Sequence, residues 1–420
     1  MNIKYTNISI INLVISLIIP FLIIGSFLPD LIVSFSSLMF LIYVFRVQNY
    51  YYLYNKPLII FFIFCIICIF CSLLSDDVLL SLESSLFYFR IGIFSSLVWF
   101  LIDKDKSILK YFYYMIIICF SLLVLDGFYQ YFNEKNVLGY PIHFGYRISS
   151  FFGDELVMGS YLSRLFPLLF ALFLIKKKSI FETYFIGVLF IFTDILIYIS
   201  GERTAFFFLN LSTIFIIVLI KQFKIFRLFT FIIGLVCISI LSLNTPNLSE
   251  KMLLEPARNI GIIDNTEDPL FFTPVYDSHY KTAIKMFLDK PLAGHGPKMF
   301  RIKCSDPKYA TGIKPCSTHP HNFYIQLLAE TGLLGFSFLF ILLSYVIYCS
   351  FKQLSSILRN KERFLSDYQV CLLAGILISV WPFSPNMNFF GNWLIVLYCL
   401  PFGLYLQSVF MKKRKLNNNN

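Results

Sequence analysis

Twelve apolar segments, each about as long as a membrane-spanning helix, limit the possible fold more than any other feature of this chain. Hydrophobic residues make up 58% of the 420 residues and charged residues 14%, against about 45–50% and about 25% in soluble domains. Fifty Phe and 26 Tyr exceed what a water-soluble core of this size buries. The sequence therefore predicts an all-α polytopic membrane protein and excludes disordered, collagen-like and disulfide-rich secreted chains. The segments lie near Ile8–Phe27, Leu31–Phe45, Leu58–Leu74, Leu82–Ile102, Ile108–Tyr129, Val157–Ile175, Phe181–Ser200, Thr204–Ile220, Phe226–Leu243, Phe323–Ser350, Gln369–Phe383 and Phe389–Phe410.

The second and eleventh segments are short, which leaves open a tilted or partly re-entrant course for each. The predicted organisation has five parts and a tail: helices 1–5 in 1–130, a loop in 131–156, helices 6–9 in 157–243, a large loop in 244–322, helices 10–12 in 323–411, and a basic tail in 412–420.

Orientation follows from Lys and Arg in the connections, because basic residues concentrate in cytoplasmic loops. Placing both termini in the cytoplasm puts 20 of the 35 basic residues there and none in the short loops of the opposite side. The two long loops then face the periplasm. The cytoplasmic set includes Lys176, Lys177, Lys178, Lys221, Lys224 and Arg227.

The large loop has structure of its own, and a loop of that length is usually functional. Apolar residues from Tyr280 to Leu288 fall at helical spacing, which predicts an amphipathic helix lying on the membrane surface or over a cavity. Pro291, Gly294 and Gly296 are expected to end it. Cys304 and Cys316 are the only cysteines of this loop, so we expect a disulfide, with a zinc site as the weaker alternative.

Charged side chains within apolar segments are costly and so suggest function. Arg90 lies near the middle of the fourth segment and Arg164 about two turns into the sixth, while Arg147 and Arg203 stand at the outer ends of their segments. Arginines gathered at one membrane face can hold a pyrophosphate through forked hydrogen bonds. The alternative is internal pairing, of Arg164 with Asp194 and of Arg203 with Glu202.

Four of the five histidines lie in the large loop: His279, His295, His319 and His321. None has metal-ligand spacing on a helix. The segment from Thr318 to Asn322 leads directly into the tenth span, where a neutral imidazole can take a proton from an acceptor hydroxyl. Pro320 is expected to turn His319 and His321 in different directions.

In the late part of the chain, His321-Asn322 is followed after nine residues by Gly332-Leu333-Leu334-Gly335. This pattern resembles the signature of the O-antigen ligase and polymerase superfamily. Three further blocks resemble the family in the same order: Arg147 to Gly153 with Gly159 to Leu162, Gly201 to Ala205, and Asp289 to Pro297. Phe207 departs from the Leu that ligases often carry at that position.

The resemblance implies a GT-C-like inner-membrane glycosyltransferase that is inverting and metal-independent, has no cofactor, and has an active site facing the periplasm. It implies an undecaprenyl-pyrophosphate-linked glycan as donor and a lipid A-core sugar or another glycan as acceptor, in contact with membrane lipids. The family's essential histidine corresponds to His321 and its donor-binding arginine to Arg203. We expect Arg147, Arg164 and Arg90 to assist in donor binding. The expected supporting residues are His319, Asn322, Glu330, Gly332, Gly335, Asp154 and His279.

Three functions remain in competition at this point. The first is a glycan ligase. The second keeps the chemistry but changes the acceptor, as in a polysaccharide polymerase or a protein O-oligosaccharyltransferase. The third is a transporter of anionic or lipid-linked substrates, which would usually show repeated halves with broken helices. The net charge of +11 does not indicate nucleic-acid binding, because the basic residues follow the membrane topology.

Overall fold

The computed structural model describes residues 5–175, 179–260, 262–263 and 272–417. Lys176, Lys177 and Lys178, counted above among the cytoplasmic charges, lie outside this range. The described residues form α-helices and a few short turns of other helix types, without a β-strand. The helices are α1 (Tyr5–Ser16), α2 (Ile18–Ile24), α3 (Phe27–Val47), α4 (Lys56–Leu73), α5 (Val78–Ser85), α6 (Arg90–Lys104), α7 (Ser107–Asn133), α8 (Met158–Ile175), α9 (Ile180–Ile199), α10 (Arg203–Leu219), α11 (Lys224–Asn244), α12 (Pro246–Ser249), α13 (Glu255–Asn259), α14 (Pro274–Asp289), α15 (Phe300–Lys303), α16 (Phe323–Leu358), α17 (Asp367–Ser379) and α18 (Asn392–Asn417).

The prediction of an all-α polytopic membrane protein is confirmed. Within the described residues, nine helices are long and apolar enough to cross a membrane, and three shorter apolar helices, Ile8–Ile24, Arg203–Leu219 and Asp367–Ser379, accompany them. These helices coincide with the twelve apolar segments. The second segment is not short, because α3 has 21 residues. The eleventh stays short, since α17 has 13 residues.

The helices are arranged as a buried centre within an apolar outer layer. In α8, 83% of the residues of the most apolar window are buried, whereas the figure for α3, α11 and α16 is 28%. The outer helices expose large apolar side chains such as Phe27 and Leu243. Such an exterior suits lipid and would be unstable in water. α8 packs on α17 and α10, and α6 packs on α18 and α3.

Two of the charges inside the bundle do not sit as expected. Arg90 is not in the middle of a helix, because α5 ends at Ser85 and Arg90 opens α6 after a break. Asp194 does not pair with Arg164. It accepts hydrogen bonds of 2.9 and 3.1 Å from Arg227, and both side chains are fully buried.

Arg227 is therefore a buried member of the core, although its position just after a loop suggested a cytoplasmic surface charge. Its guanidinium also donates to Thr213 on α10, at 2.8 Å, and lies over the ring of Phe166 on α8. The Asp194–Arg227 pair thus connects four helices through one fully buried charge pair.

Both long loops lie at the same end of the bundle, which we call the loop end. The large loop is attached there by ion pairs to α5 and to the turn before it. Lys298 pairs with Glu83 at 2.6 Å, and Lys303 and Lys290 pair with Asp76. The acidic short loop and the basic large loop are therefore complementary surfaces.

Candidate active site

The family-like blocks around Gly294 and Gly332 are joined directly in the structure. α16 is interrupted at Gly332, whose φ of 61° and ψ of −161° are not helical. The backbone N–H groups freed by this break bond to the large loop: Leu333 donates to Pro291 at 2.9 Å and Leu334 to Leu292 at 3.2 Å. The first turns of α16 are thereby fixed to the large loop, and this part of α16 follows the two histidines.

The histidine segment forms a turn that ends at Asn322. The Asn322 side chain accepts from the backbone of Tyr324 and Ile325, so it caps α16, which begins at Phe323 rather than at the histidines. It also donates to the Pro382 carbonyl at 2.7 Å, which fixes the turn to the α17–α18 connection. Residue 321 has a positive φ of 62°, a conformation that non-glycine residues adopt mainly where the surroundings enforce it.

His319 and His321 face the same space, contrary to the expectation that Pro320 would separate them. Their ring centroids lie 4.1 Å apart. His319 Nε2 donates to the Asn386 carbonyl at 3.3 Å, because a carbonyl can only accept, and Nδ1 then accepts from the Thr318 hydroxyl. Both nitrogens of His319 are engaged, whereas His321 Nε2 lies 3.0 Å from the Ser317 hydroxyl. That contact has the distance and chemistry that a general base needs toward an acceptor hydroxyl.

Burial keeps both imidazoles neutral. Desolvation, together with the nearby His321, lowers the pKa of His319 to about 3. Desolvation and the neighbouring His279 lower the pKa of His321 to about 4. Both rings are therefore neutral at neutral pH. Because both nitrogens of His319 are already engaged, Nε2 of His321 beside Ser317 is the better placed proton acceptor.

The loop between α7 and α8 positions Arg147. Its backbone is paired in both directions with His143 at 2.8 Å. Its guanidinium donates to the carbonyls of Ser200 and Leu156, each at 3.2 Å. Asp126 holds the same loop by accepting from the backbone of Val137 at 3.0 Å. Arg147 is thus fixed against the end of α9 and the start of α8.

Arg203 is the first residue of α10. The internal-pairing alternative required it to pair with Glu202, but it does not. It donates to the Lys251 carbonyl at 2.7 Å and forms an ion pair with Glu255. The Glu202 carboxylate instead accepts from Gly159, at 2.6 Å, and from Ser160 at the start of α8. Among the residues that the structure describes, Arg203 therefore pairs with one acidic side chain, which belongs to the large loop.

Arg164 reaches the histidine segment through Asn386, which the sequence did not single out. Asn386 accepts from Arg164 at 3.2 Å, and its backbone N–H donates to the His321 carbonyl at 2.7 Å. Its carbonyl also accepts from His319, so one asparagine connects the arginine with both histidines. A Ser-Pro-Asn turn carries no distinctive signal, and only the distances reveal its role.

One cavity of about 1080 Å³ at the loop end unites these groups. Its lining includes Arg147, Arg164, Arg203, His319 and His321. Three guanidinium groups and two neutral imidazoles thus share one space, although they come from four separate parts of the chain.

The middle of the chain matches a family model described as Wzy_C, O-antigen ligase, over residues 185–340. The match of this segment supports a relation to the O-antigen ligase and polymerase superfamily. No curated protein matches the chain. The matched segment contains Arg203, His321 and Gly332, while Arg147 and Arg164 lie before it. The match to this family model supports a membrane function in ligating or polymerising glycans.

Other residues expected at the superfamily site lie outside the cavity lining. Arg90 pairs with Asp30 at 2.6 Å and contacts Asn392. Asp154 is exposed to solvent. Glu330 is fully buried in α16, where it accepts from Gln326 at 3.0 Å and from the Phe300 backbone. Glu330 thus holds the large loop on α16, and its place does not favour a role as base.

The predicted amphipathic helix is α14, and it lies over the cavity. Tyr276 lines the cavity with its ring 5.3 Å from that of His321. His279 stacks on His321 at 5.5 Å from behind, outside the lining. Burial lowers the pKa of His279. The helical period predicted α14, but its amphipathic pattern began at Tyr280 and so did not reach Tyr276.

A disulfide between Cys304 and Cys316 closes the segment that precedes the histidines. Ser317, the partner of His321, directly follows it. Within the described part of the chain, no three His, Cys, Asp or Glu side chains come together as metal ligands would. The disulfide therefore fixes the start of the turn that carries Ser317, His319 and His321.

Proposed function

We propose that this protein is an inner-membrane glycosyltransferase that transfers a glycan from undecaprenyl pyrophosphate to a sugar hydroxyl of the lipid A core, with the site facing the periplasm. The observation that carries this proposal is the single cavity lined by Arg147, Arg164 and Arg203 together with His321. The superfamily match over residues 185–340 supports the reaction class.

The arginines would bind the donor pyrophosphate. Arg203 is held by one carboxylate, Glu255, which a pyrophosphate can replace as the anionic partner. Arg147 and Arg164 donate to neutral acceptors, so both guanidinium groups can also bind an anion in the cavity. Glu202 in the same lining interacts with Arg147 electrostatically, but its carboxylate accepts hydrogen bonds from Gly159 and Ser160. As the bond from the anomeric carbon to the phosphate oxygen breaks, negative charge grows on the leaving group, and preorganised cations stabilise it.

His321 would act as the general base. The acceptor hydroxyl attacks the anomeric carbon, its proton passes to the imidazole, and the pyrophosphate leaves with the bonding electron pair. Attack from the face opposite the leaving group inverts the anomeric configuration. General-base assistance of this kind contributes roughly 10²–10⁴-fold. His319 is expected to hold the turn, because both of its nitrogens are bonded.

Purified variants test the roles of the two histidines. His321→Ala should abolish transfer from a defined lipid-linked donor while donor binding persists, and His319→Ala should lose less activity. The matched control is His143→Ala, a histidine on the loop end outside the cavity lining. Near-normal turnover of His321→Ala would remove His321 from the mechanism.

The acceptor decides between the ligase and its alternatives. The same groups would serve a polymerase, in which the acceptor is a second glycan on its lipid carrier, or a protein O-oligosaccharyltransferase. A deletion strain examined by lipopolysaccharide gel separates these functions. Accumulated lipid-linked polymer supports the ligase, core capped with a single repeat supports the polymerase, and an unaltered ladder points to a different glycan.

A transporter is the alternative from another class. It has no use for a proton acceptor beside the arginines, so His321→Ala should leave transport of a lipid-linked glycan intact. Transfer activity by the purified protein with donor and acceptor alone would exclude transport as the primary function.

A further inference from the structure

Tyr276 is the one aromatic residue of α14 that lies in the cavity and touches the proposed base. Its ring centroid is 5.3 Å from that of His321. The ring is partly buried, and its backbone lies in the first turn of α14, which is fixed on α16. The side chain thus stands between the large loop and the open space of the cavity.

Tyr276 lines the same cavity as Arg147 and Arg203. Burial raises the pKa of this phenol, and the positive charges of Arg203 and Arg147 act in the opposite direction. The phenol thus shares the cavity with both guanidinium groups, and its ring packs beside the His321 ring. At neutral pH the phenol keeps its proton and can donate a hydrogen bond.

We propose that Tyr276 is a further substrate-binding residue, whose hydroxyl donates a hydrogen bond to the pyrophosphate held by Arg203 and Arg147 and whose ring lies beside the sugar to be transferred. The identity of the ligand rests on the proposed function. The geometry alone favours an anion with several oxygens between the arginines and the base.

The hydrogen bond from Tyr276 contributes most when the bond between the sugar and the pyrophosphate breaks. The pyrophosphate then carries an additional negative charge, and a phenol hydroxyl bonds more strongly to a charged oxygen than to a neutral one. No proton moves from Tyr276 in this step, because the acceptor's proton goes to His321. Tyr276 stabilises the leaving group by its hydrogen bond only.

Tyr280 provides a matched control that distinguishes substrate binding by Tyr276 from a purely structural role. The two rings stack in near-parallel planes with centroids 6.3 Å apart, one helical turn apart on α14. Tyr280 is buried and absent from the cavity lining, and its hydroxyl has no hydrogen-bond partner within the described part of the chain. Removing either hydroxyl leaves the ring packing in place, but only Tyr276 shares the cavity lining with the arginines.

Binding of inorganic pyrophosphate to the full-length protein in detergent tests the proposal by calorimetry. Because a hydrogen bond to a charged group is at stake, Tyr276→Phe should raise Kd by about tenfold. Tyr280→Phe should change Kd by less than about twofold. In transfer assays with a lipid-linked donor, Tyr276→Phe should lower kcat, and Tyr276→Leu should also raise KM because the ring beside the sugar is lost.

An unchanged Kd in Tyr276→Phe would overturn the proposal, and so would equal weakening in Tyr276→Phe and Tyr280→Phe. Failure of the wild-type protein to bind inorganic pyrophosphate would overturn it as well. The proposed function is judged separately by glycan transfer. Tyr276-dependent pyrophosphate binding without transfer would retain this site and reject the glycosyltransferase.

Discussion

A histidine that stays neutral is the residue on which the proposed chemistry depends. An ordinary histidine has a pKa of about 6.5, but burial holds that of His321 at about 4. The neutral form therefore dominates above that value, and the base is lost only as pH falls through it. We expect kcat/KM to be independent of pH between about 5 and 8, since kcat/KM reports the free enzyme. An acid limb near pH 6.5 would contradict this assignment.

The partner of Arg203 leads to a second prediction. Glu255 competes with any anion for Arg203 and also pairs with Lys251 at 3.1 Å. Glu255→Gln removes that competing charge, so inorganic pyrophosphate should bind more tightly, by about two- to fivefold for a partly exposed pair. Glu250→Gln is the control, because Glu250 pairs with Arg258 and is absent from the cavity lining. Weaker binding in Glu255→Gln would indicate that Glu255 positions Arg203 instead.

Single residues were predictable where a charge stood against an apolar background. Arg147, Arg164 and Arg203 were recognised in this way, and the structure places all three in one cavity. Arg227 was misread because a basic residue at the start of a helix looks like a loop charge. Its partner is 33 positions away. No local pattern reports such a contact.

Among the elements, the break in α16 is the most sensitive to mutation. A Cβ at Gly332 would lie 2.3 Å from the Leu292 carbonyl oxygen, and the φ of 61° already disfavours other residues. Gly332→Ala should therefore destabilise the protein by at least about 1–3 kcal/mol. At Gly375 in α17 a Cβ would find ordinary contacts at 3.7 and 3.9 Å, so Gly375→Ala should be tolerated. Thermal unfolding in detergent and transfer activity measure both effects.

The disulfide gives a prediction for the segment before α16. Closing a loop of this size stabilises a fold by about 3 kcal/mol in the chain-entropy model. Cys316→Ser should lower activity more than it lowers membrane accumulation, because Ser317 and His321 follow directly. Peptides from unreduced, alkylated protein should show Cys304 linked to Cys316. Alkylation of both thiols in protein taken from intact cells would show that the bond does not form there.

Elements were predictable to the extent that hydropathy alone defines them. Apolar length identified the spans and helical spacing identified α14. The split of the fourth span at Arg90 was missed, because the apolar run continues across the break. The break at Gly332 was also invisible, since its cause is hydrogen bonding to residues some forty positions earlier.

The buried Asp194–Arg227 pair tests the assembly of the whole molecule. Removing one partner leaves an uncompensated charge, which typically costs about 3–5 kcal/mol. Asp194→Ala and Arg227→Ala should each reduce the amount of folded protein in the membrane. The double variant Asp194→Leu with Arg227→Met should accumulate better than either, because it restores apolar packing. Fluorescence-detected size-exclusion chromatography measures the three, and equal loss in all would contradict the pairing argument.

The arrangement of the whole molecule was the least accessible from sequence. Motif order suggested that the four blocks act together, but only coordinates show that Asn386 connects Arg164 to both histidines. The sidedness of the bundle rests on its basic residues. Accessibility labelling of single cysteines introduced at Asp154 and at Arg359 should mark opposite sides of the membrane.

The break in α16 also fixes the length of the helical segment that separates the histidine turn from the membrane-spanning part of α16. The stretch from Phe323 to Thr331 precedes the break and is ~13 Å long at the rise of an α-helix. His321 therefore directly precedes a short helical segment, and the far end of this segment is fixed by the backbone hydrogen bonds of Leu333 and Leu334. Adding or removing residues in this helical segment would change the distance of the proposed base from the membrane-spanning part of α16. The position at which the base can meet an acceptor hydroxyl would change with it. We therefore expect the spacing between His321 and Gly332 to set how far the proposed base stands from the membrane-spanning part of α16.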